Sequence, residues 1–414
     1  MRPRPPSPRC AARRAASRTA TSTPCWPSSP PRRAASCADR MSTAPRLGMV
    51  AGEASGDLLA GLLLQGLRAR WPGVTAQGIG GPKMIAQGFE SWWPHSKLSI
   101  FGYVDALLNL RELLSIRKQL GNRLLARRPD VFIGVDAPDF NFGLEHRLRE
   151  GGIKTVHFVC PSIWAWRPER VVKIKAAADH VLCLFPFEPE ILQRAGIDAT
   201  FVGHPLADAI PLEPPREAAR AALQLPDGDT VIALLPGSRK SEIEHIAPAL
   251  IGAARLLARP GRRFILPVVP GLHGLLEPLL AGTGIQCVEG QSHTVLAACD
   301  LTLVASGTAT LEAALFKRPM VIAYRMSALN WWRMKGKGLQ PWVGLPNILA
   351  REFLVPELIQ HACTPAALAR EAEALLADAP RCQALQARFH EQHLQLRQDT
   401  AQRAADAIAK LLDA

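Results

Sequence analysis

The sequence predicts an α/β protein made of two nucleotide-fold halves that face a cleft. From Leu47 onward, short β-rich runs alternate with longer helical ones, a pattern typical of βαβ units and a mostly parallel sheet. Two glycine-rich turns, VAGEASGD (Val50–Asp57) and LLPGSR (Leu234–Arg239), each follow a short apolar run and lie in opposite halves of the chain. Because such folds bind nucleotides at strand–turn–helix junctions, two of these junctions indicate a cleft enzyme.

The composition is that of a globular protein. A chain of 414 residues that is 48% hydrophobic is long enough for two domains, each with its own core. The net charge of +13 would suit a nucleic-acid-binding protein, but residues 1–40 carry nine arginines and one aspartate. That segment holds a net +8, which leaves +5 for the rest of the chain. We therefore expect no nucleic-acid partner.

Residues 1–41 are expected to be a disordered tail. They are rich in Pro, Ser, Ala and Arg and show no apolar periodicity. An Arg-rich leader resembles an organelle transit peptide, yet its many prolines would break the amphipathic helix that such peptides form. We interpret the segment as the result of a start codon assigned too early, with Met41 as the true first residue.

The cysteines indicate a reducing compartment. None of the nine forms a CxxC pair or a regular spacing with histidine, so neither a disulfide framework nor a zinc site is predicted. No run approaches the roughly 20 apolar residues that a spanning helix needs. We expect a cytoplasmic protein whose membrane contact, if it has one, is peripheral.

Five strands and four helices are predicted in the first half. The strands lie near Leu47–Val50, Val131–Val135, Thr155–Val159, His180–Leu184 and Thr200–Val202. The helices lie near Leu58–Arg70, Ala106–Arg127, Phe140–Glu150 and Phe187–Ala195. Histidines within the strand runs, such as His157 and His180, are expected to be core groups rather than ligands.

The alternation restarts after a proline-containing linker near Leu212–Arg216. Strands are predicted near Thr230–Leu234, Arg263–Val268, Ile285–Val288, Leu301–Ala305 and Met320–Ala323. From Pro365 the chain becomes rich in Ala, Leu, Gln and Arg at helical spacing, which predicts terminal helices. The predicted domains are residues 42–205 and 206–364, with residues 365–414 packing back across the first. Hinges are expected at Gly203–Pro205 and near Pro365.

The first glycine-rich turn does not match GxGxxG, which argues against a dinucleotide oxidoreductase. Gly52 allows tight backbone geometry, and Ser55 or Asp57 can cap a helix from Leu58. Glu53 would repel phosphate but suits contact with sugar hydroxyls. An ordinary turn with a solvated glutamate explains the same residues about as well.

A second acidic motif, GVDAPDFN, follows the strand Val131–Val135. Asp136 lies at the carboxyl end of this strand, where open α/β sheets bind ligands, and apolar neighbours can raise a carboxyl pKa toward that of a general base. Asp136 can equally be a turn former. Asp139 is expected to cap the helix from Phe140.

The second half contains two helix starts suited to phosphate. Gly237, Ser238 and Arg239 follow one strand, and a guanidinium beside backbone N–H groups is a strong anion site. Ser306, Gly307 and Thr308 open a helix directly after the predicted strand Leu301–Ala305. Glu312 follows within that helix, where it could accept hydrogen bonds from a ribose diol. The GK[ST] of a P-loop is missing, so a nucleoside diphosphate bound without that motif is predicted.

Tryptophans and cations alternate in SIWAWRPER and in NWWRMKGKGLQPWV. Such stretches suit a membrane interface or an amphiphilic ligand, and they also suit single-stranded nucleic acid. Packing in the core is a further explanation for Trp164 and Trp331. We assign the membrane and acyl-chain contacts to a set that the sequence places in these two stretches: Trp164, Trp331, Trp332, Arg333 and Lys335.

Eight blocks in order carry a family resemblance: VAGEASGD, GVDAPDFN, HFVCPSIWAW, GHPLAD, LLPGSR, ASGTATLEAAL, PMVIAYRM and LPNILA. Together they resemble the lipid-A-disaccharide synthases, and the resemblance covers essentially everything after Met41. It implies a GT-B fold, with an acceptor domain, a donor domain and a terminal helix that returns to the first.

The resemblance also implies an activity. The family transfers 2,3-diacylglucosamine from UDP to 2,3-diacylglucosamine 1-phosphate with inversion, which yields a β-1′,6-linked disaccharide 1-phosphate and UDP without a metal or other cofactor. It implies Asp136 as catalytic base, Arg239 as a donor-binding residue, and Glu53, Glu312 and Asn347 around the sugar and nucleotide. We include Glu53 with Asp136 among the catalytic residues.

The implied partners are the two acylated substrates and the phospholipid of the inner membrane, with which a cytoplasmic enzyme would associate peripherally. A homodimer is compatible with the sequence. The rival enzymes are a polyprenyl-acceptor glucosaminyltransferase and a UDP-sugar 2-epimerase. The former would show a GGxxGH-type loop in place of VAGEASGD, and this turn has no histidine. A structural scaffold at a membrane surface would have no need of Arg239 beside a glycine turn.

Overall fold

Two parallel β-sheets organise the chain. The computed structural model describes residues 44–52, 54–98, 103–334, 336 and 338–413, which belong to one compact unit. The predicted tail, Glu53 and Lys335 lie outside the described residues.

The first sheet has seven parallel strands in the order β3-β2-β1-β4-β5-β6-β7. They are β1 (Arg46–Ala51), β2 (Thr75–Gly80), β3 (Glu90–Pro94), β4 (Val131–Val135), β5 (Lys154–Phe158), β6 (His180–Cys183) and β7 (Ala199–Phe201). The helices of this half are α1 (Ala54–Arg70), α2 (Pro82–Ala86), α3 (Tyr103–Arg127), α4 (Pro138–Glu150), α5 (Arg170–Ala177) and α6 (Glu188–Arg194), with a 3-10 turn at His95–Lys97. Strand β4 is buried along its whole length, as is typical of parallel strands covered by helices on both faces.

The second sheet has six parallel strands in the order β10-β9-β8-β11-β12-β13. They are β8 (Thr230–Leu235), β9 (Arg262–Val268), β10 (Gln286–Glu289), β11 (Leu301–Ala305), β12 (Met320–Tyr324) and β13 (Glu357–Ile359). The helices are α7 (Pro205–Ala209), α8 (Arg216–Ala222), α9 (Lys240–Leu257), α10 (His273–Leu280), α11 (Ser292–Ala298), α12 (Thr308–Leu315), α13 (Ala328–Met334), α14 (Leu345–Ala350), α15 (Pro365–Ala377), α16 (Ala379–Leu396) and α17 (Thr400–Asp413), with a 3-10 turn at Gln360–Ala362.

The predicted α/β architecture is confirmed, but three edge or near-edge strands were absent from the prediction. These are β2, β3 and β13, which are short or glycine-containing. In β2, Gly78 has φ +144°, and a Cβ there would lie 2.1 Å from the carbonyl oxygen of Met49 on β1. The glycine that hides this strand in the sequence is therefore what lets it pair so closely with β1.

The chain crosses between the halves twice, and the two crossings are hydrogen-bonded to each other. His204 N donates to Leu396 O at 2.9 Å. The carboxylate of Asp208 accepts from Asp399 N and Thr400 N, at 3.1 and 2.7 Å. The predicted hinge at Gly203–Pro205 thus has a second segment beside it.

The last helix returns to the first half. Helix α17 packs on α1 so closely that a Cβ on Gly66 would lie 1.8 Å from the Cβ of Ala401. The return comes later than the predicted hinge near Pro365, because α15 packs on α9 of the second half. A Cβ at Gly252 of α9 would lie 2.8 Å from the Cγ of Pro365.

Candidate active site

Each sheet has one point where its strand order reverses, and both predicted glycine-rich turns lie there. In the first sheet this point is between β1 and β4, which are followed by Gly52 with the start of α1 and by Asp136, respectively. In the second it is between β8 and β11, which are followed by residues 236–239 and 306–308. Open α/β sheets bind ligands at these carboxyl-end crevices.

A cavity of about 380 Å³ joins the loops of the two halves. The first half contributes Ser55, Leu58 and Leu59 at the start of α1, and Leu206 lines it from the crossing segment. The predicted residues of the second half that line it are Gly237, Ser238, Arg239, Ser306, Gly307, Thr308 and Glu312. The structure therefore brings the two predicted anion sites to one cavity with the first glycine-rich turn.

Sequence reasoning missed part of the cavity wall. Residues 267–270 form the end of β9 and the turn after it, Gly290 and Ser292 follow β10, and all of them line the cavity. The available signal was positional, since these residues also stand at the carboxyl ends of predicted strands.

The turn after β8 is held by a carboxylate from its own helix. Glu242 Oε2 accepts from Ser238 N at 2.9 Å and from Arg239 N at 3.2 Å, and its Oε1 accepts from the Arg239 guanidinium at 3.1 Å. Gly237 has φ +111°, and a Cβ there would lie 2.4 Å from Glu242 Oε2. Two loop amides that were predicted to bind phosphate are thus engaged by Glu242, which also contacts the predicted donor-binding arginine.

The turn after β11 is held by two hydroxyl groups, one in the turn and one in the helix that follows it. Ser306 Oγ donates to Val343 O at 2.9 Å, and Thr310 Oγ1 donates to Gly307 O at 2.8 Å. Helix α12 begins at Thr308, and the first N–H of the helix to donate to its N-cap is that of Thr310, to Gly307 O at 3.1 Å, so the N–H groups of Thr308 and Ala309 lie ahead of the helical hydrogen bonds. Glu312 lies half-buried in the cavity wall, with its Oε2 3.5 Å from His293 Nε2.

Asp136 follows β4 in a left-handed turn beside the first glycine-rich turn. Asp136 and Ala137 have φ values of +49° and +43°. A Cβ on Gly52 would lie 3.4 Å from the Cβ of Ala137, so the two turns are in contact. Asp136 is half-buried and lies near the start of α1, where Ser55 lines the cavity. Asp136 is not itself part of the lining.

The helix caps predicted for Asp57 and Asp139 are wrong, and Ser55, the alternative to Asp57, lies within α1. Asp57 lies inside α1 and is 2% exposed, and its carboxylate accepts from the N–H groups of Gly81, Lys83 and Met84 at 2.8–3.1 Å. It therefore caps α2, because α1 begins four residues earlier than predicted. Helix α4 begins at Pro138 after Ala137, whose methyl side chain cannot accept a hydrogen bond, and Asp139 instead contacts the guanidinium of Arg170 at 2.9 Å.

Asn347 lies away from the cavity lining. Its side chain is fully buried, where Nδ2 donates to Val355 O and to Glu357 Oε1, and Oδ1 accepts from Val355 N. Glu357 also accepts from Val343 N and Gly344 N, while burial raises the pKa of its carboxyl. Asn347 thus organises the loop that accepts the hydroxyl hydrogen bond of Ser306. Its predicted contact with the nucleotide-sugar stays a prediction.

The two aromatic stretches meet. Leu339 N of the second stretch donates to Ala165 O of the first at 2.8 Å. Trp164 packs against Phe185 and Phe187, and its Nε1 donates to the buried Glu188 at 3.0 Å. On α13, Trp332 is 75% exposed. Trp331 is half-buried on the same helix, which also carries Arg333.

The predicted core histidines are buried or half-buried with polar partners. His157 Nδ1 lies 2.7 Å from Glu145 Oε1, and His180 Nε2 lies 2.9 Å from Thr200 Oγ1. Within the described ranges, no group of three His, Cys, Asp or Glu side chains is placed to hold a metal ion. No helix in that same part of the chain is long and apolar enough to cross a bilayer.

Comparison with known proteins gives a consistent match. A family model described as lipid-A-disaccharide synthetase matches residues 47–412. The lipid-A-disaccharide synthase of Albidiferax ferrireducens is 58% identical over 387 residues, covering 91% of this chain and 99% of that protein. The one from Burkholderia pseudomallei (strain K96243) is 54% identical over 375 residues, covering 89% and 97%.

Solved structures share the fold at low identity. UDP-GlcNAc 2-epimerase from Neisseria meningitidis bound to UDP-GlcNAc has a TM-score of 0.61 at 14% identity, over 89% of this chain and 100% of that chain. CalG4, the calicheamicin glycosyltransferase, has a TM-score of 0.58 at 16% identity, over 89% and 98%. With the two parallel sheets and the returning helix, these likenesses confirm the predicted GT-B fold.

Proposed function

Because the chain belongs to the lipid-A-disaccharide synthase family, and is a hexosyltransferase of lipid A biosynthesis, we propose a specific reaction for it. It transfers 2,3-diacylglucosamine from UDP to the 6-hydroxyl of 2,3-diacylglucosamine 1-phosphate, with inversion. The products are a β-1′,6-linked disaccharide 1-phosphate and UDP. The observation that carries this proposal is the cavity that joins the Arg239 loop, the start of α12 and the turn beside Asp136.

The second half binds the donor. The leaving UDP gains negative charge as the anomeric C–O bond breaks, and the Arg239 guanidinium and the first N–H groups of α12 stabilise that charge. Glu242 accepts from two amides of the Arg239 loop and from the guanidinium, and so holds this arginine on the same cavity as the start of α12. Glu312 contacts the ribose, and the part of the cavity lined by residues after β9 and β10 receives the uracil ring.

Asp136 acts as the general base. It accepts the proton of the acceptor 6-hydroxyl while that oxygen attacks the anomeric carbon from the face opposite UDP, which inverts the configuration. A carboxylate at the carboxyl end of β4, next to the first glycine-rich turn, is suitably placed for an acceptor bound in the first half. Glu53 contacts the sugar hydroxyls, and Asn347 supports the site.

The acyl chains and the bilayer contact the aromatic stretches, so that the enzyme associates peripherally with the inner leaflet from the cytoplasm. The exposed ring of Trp332 enters the interface, and Arg333 and Lys335 contact phospholipid head groups. Trp331 and Trp164 border the path of the acyl chains. Replacing Trp331, Trp332, Arg333 and Lys335 together should release the protein from anionic vesicles, and unchanged vesicle binding would exclude this part of the proposal.

The test combines transfer with binding. Purified protein is mixed with the diacylated UDP-sugar and the diacylated sugar phosphate, and UDP and disaccharide are measured. Asp136→Ala should abolish transfer and keep UDP affinity, whereas Arg239→Ala should weaken both. Arg263→Ala, which removes an exposed arginine that pairs with Asp229, is the control and should leave both unchanged. Turnover of a polyprenyl acceptor or epimerisation of UDP-GlcNAc, without disaccharide, would reassign the protein to a rival enzyme.

A further inference from the structure

The turn that carries Asp136 is strained. Asp136 and Ala137 are consecutive non-glycine residues with φ of +49° and +43°, a region that L-residues avoid because the Cβ crowds the backbone. Such a turn persists only where its surroundings hold it. Asp136 N donates to Phe158 O on β5 at 3.0 Å, which ties one side of the turn to the sheet.

Asn141 holds the other side. Its side chain is fully buried in the first turns of α4, and its Nδ2 donates to Asp136 O at 2.8 Å and to Val135 O at 3.4 Å. One amide group therefore engages the two carbonyls that flank the change from extended to left-handed backbone. Its Oδ1 has no hydrogen-bond partner within the part of the chain that the structure describes.

A buried ionisable pair lies beneath this amide. Glu145 and His157 are both 0% exposed, with Oε1 and Nδ1 2.7 Å apart. His157 is in register with Gly134, where a Cβ would lie 1.9 Å from Glu145 Oε1 and 3.1 Å from the Cβ of Asn141. The strand residue two before Asp136 thus has to be glycine, so that Glu145 and Asn141 can pack beneath the turn.

These groups cost stability that a purely structural core would avoid. Asn141 Oδ1, Glu145 Oε2 and His157 Nε2 are buried without a hydrogen-bond partner among the described residues. Unpaired buried polar atoms are unfavourable, and departures from well-packed apolar cores concentrate at functional sites. Asn141 contacts the Asp136 turn directly, and Glu145 and His157 lie beneath it, at Gly134 of the preceding strand.

We propose that Asn141, supported by the Glu145–His157 pair, is a positioning residue that fixes the left-handed turn and so aims the Asp136 carboxylate at the acceptor hydroxyl. The inference rests on the proposed function, in which Asp136 is the base. It assigns Asn141 no contact with substrate. A small displacement of a reacting group is enough to lower turnover strongly, so the effect of losing Asn141 should appear in kcat rather than in donor affinity.

The test separates positioning from stability. Asn141→Ala should lower kcat roughly 10- to 100-fold and leave UDP affinity within about twofold. Adding Ala137→Gly relieves the left-handed strain at that residue and should recover part of the lost melting temperature, but not kcat, because a freed turn does not aim Asp136. The control Asn122→Ala removes an exposed amide on α3 and should leave kcat unchanged.

Each outcome bears on the inference. Wild-type kcat in Asn141→Ala, or recovery of kcat together with melting temperature in the double variant, would overturn it. If Asn141→Ala does not fold, Asn141→Ser carries the same measurements, because its shorter hydroxyl cannot reach both carbonyls. A wild-type protein that makes no disaccharide would instead count against the proposed function, before any Asn141 variant is compared.

Discussion

Glu188→Gln should remove a strong pH dependence from the stability of the first half. The carboxyl of Glu188 is buried at the start of α6, where it accepts hydrogen bonds from Leu184 N, Phe185 N and Trp164 Nε1 at 3.0–3.1 Å. Burial raises its pKa from an ordinary 4.5 to about 8, and these hydrogen bonds oppose the rise only in part.

The sign follows from proton linkage. Between about pH 4.5 and about pH 8, the folded protein keeps a proton on Glu188 that the unfolded chain has lost. The free energy of unfolding therefore falls as pH rises, by up to about 1.4 kcal/mol per pH unit, or roughly 5 kcal/mol across the window. The contribution is fully present below about pH 4.5 and is lost once the pH passes about 8.

The assay is urea unfolding of the wild type and of Glu188→Gln from about pH 5 to about pH 8. The wild type should lose several kcal/mol relative to the variant over this range. Glu190→Gln is the matched control on the same helix, since Glu190 is exposed and pairs with Arg194, and its stability should follow the wild type. Parallel curves for the wild type and Glu188→Gln would refute the reasoning.

Three further predictions test the packing and the site. Gly66→Val should lower the unfolding free energy, measured in thermal melts, by about 1–3 kcal/mol, because the valine side chain would overlap α17. The control Gly274→Ala adds a methyl group that meets no atom within 4 Å and should be neutral in the same melts. Glu242→Gln should weaken UDP affinity, measured by calorimetry, roughly 10-fold, because it loosens the loop after β8. The control Glu244→Gln, two residues along the same helix, should change the affinity very little. Equal UDP affinities of the wild type and Glu242→Gln would contradict this role. Burial lowers the pKa of His204 to about 3, so the unfolding free energy should fall as the pH drops from about 6.5 toward 3. A His204→Gln variant should lack this part of the acid sensitivity when unfolding is followed by circular dichroism.

The sequence predicted the features that depend on local pattern. Buried strands such as β4 and β11 are continuous apolar runs, and the two glycine-rich motifs contain glycine and serine, which are typical of turns. Their meeting at one cavity follows from a general rule for parallel sheets, which is why Arg239 and Ser306 could be predicted from the sequence to lie close together.

Features that depend on tertiary partners were not predictable. Asp57 looks like the cap of its own helix, and only the position of α2 shows that it caps that helix instead. The pairing of Glu145 with His157 joins a helix to a neighbouring strand, and neither residue carries a local signature. The engagement of the loop amides by Glu242 likewise depends on the conformation of Gly237 rather than on composition.

The late return of α17 to α1 has a consequence for the synthesis of the protein. A ribosome makes the N-terminal sheet first, yet the helix that covers α1 emerges only after the strands of both sheets, and its inward face includes Ala404, Ala405 and Ile408. We expect the nascent chain to expose an apolar helix surface for most of its translation and to depend on chaperones during that time. Premature termination even a few codons before Thr400 would then yield an aggregation-prone polypeptide rather than a slightly shorter enzyme.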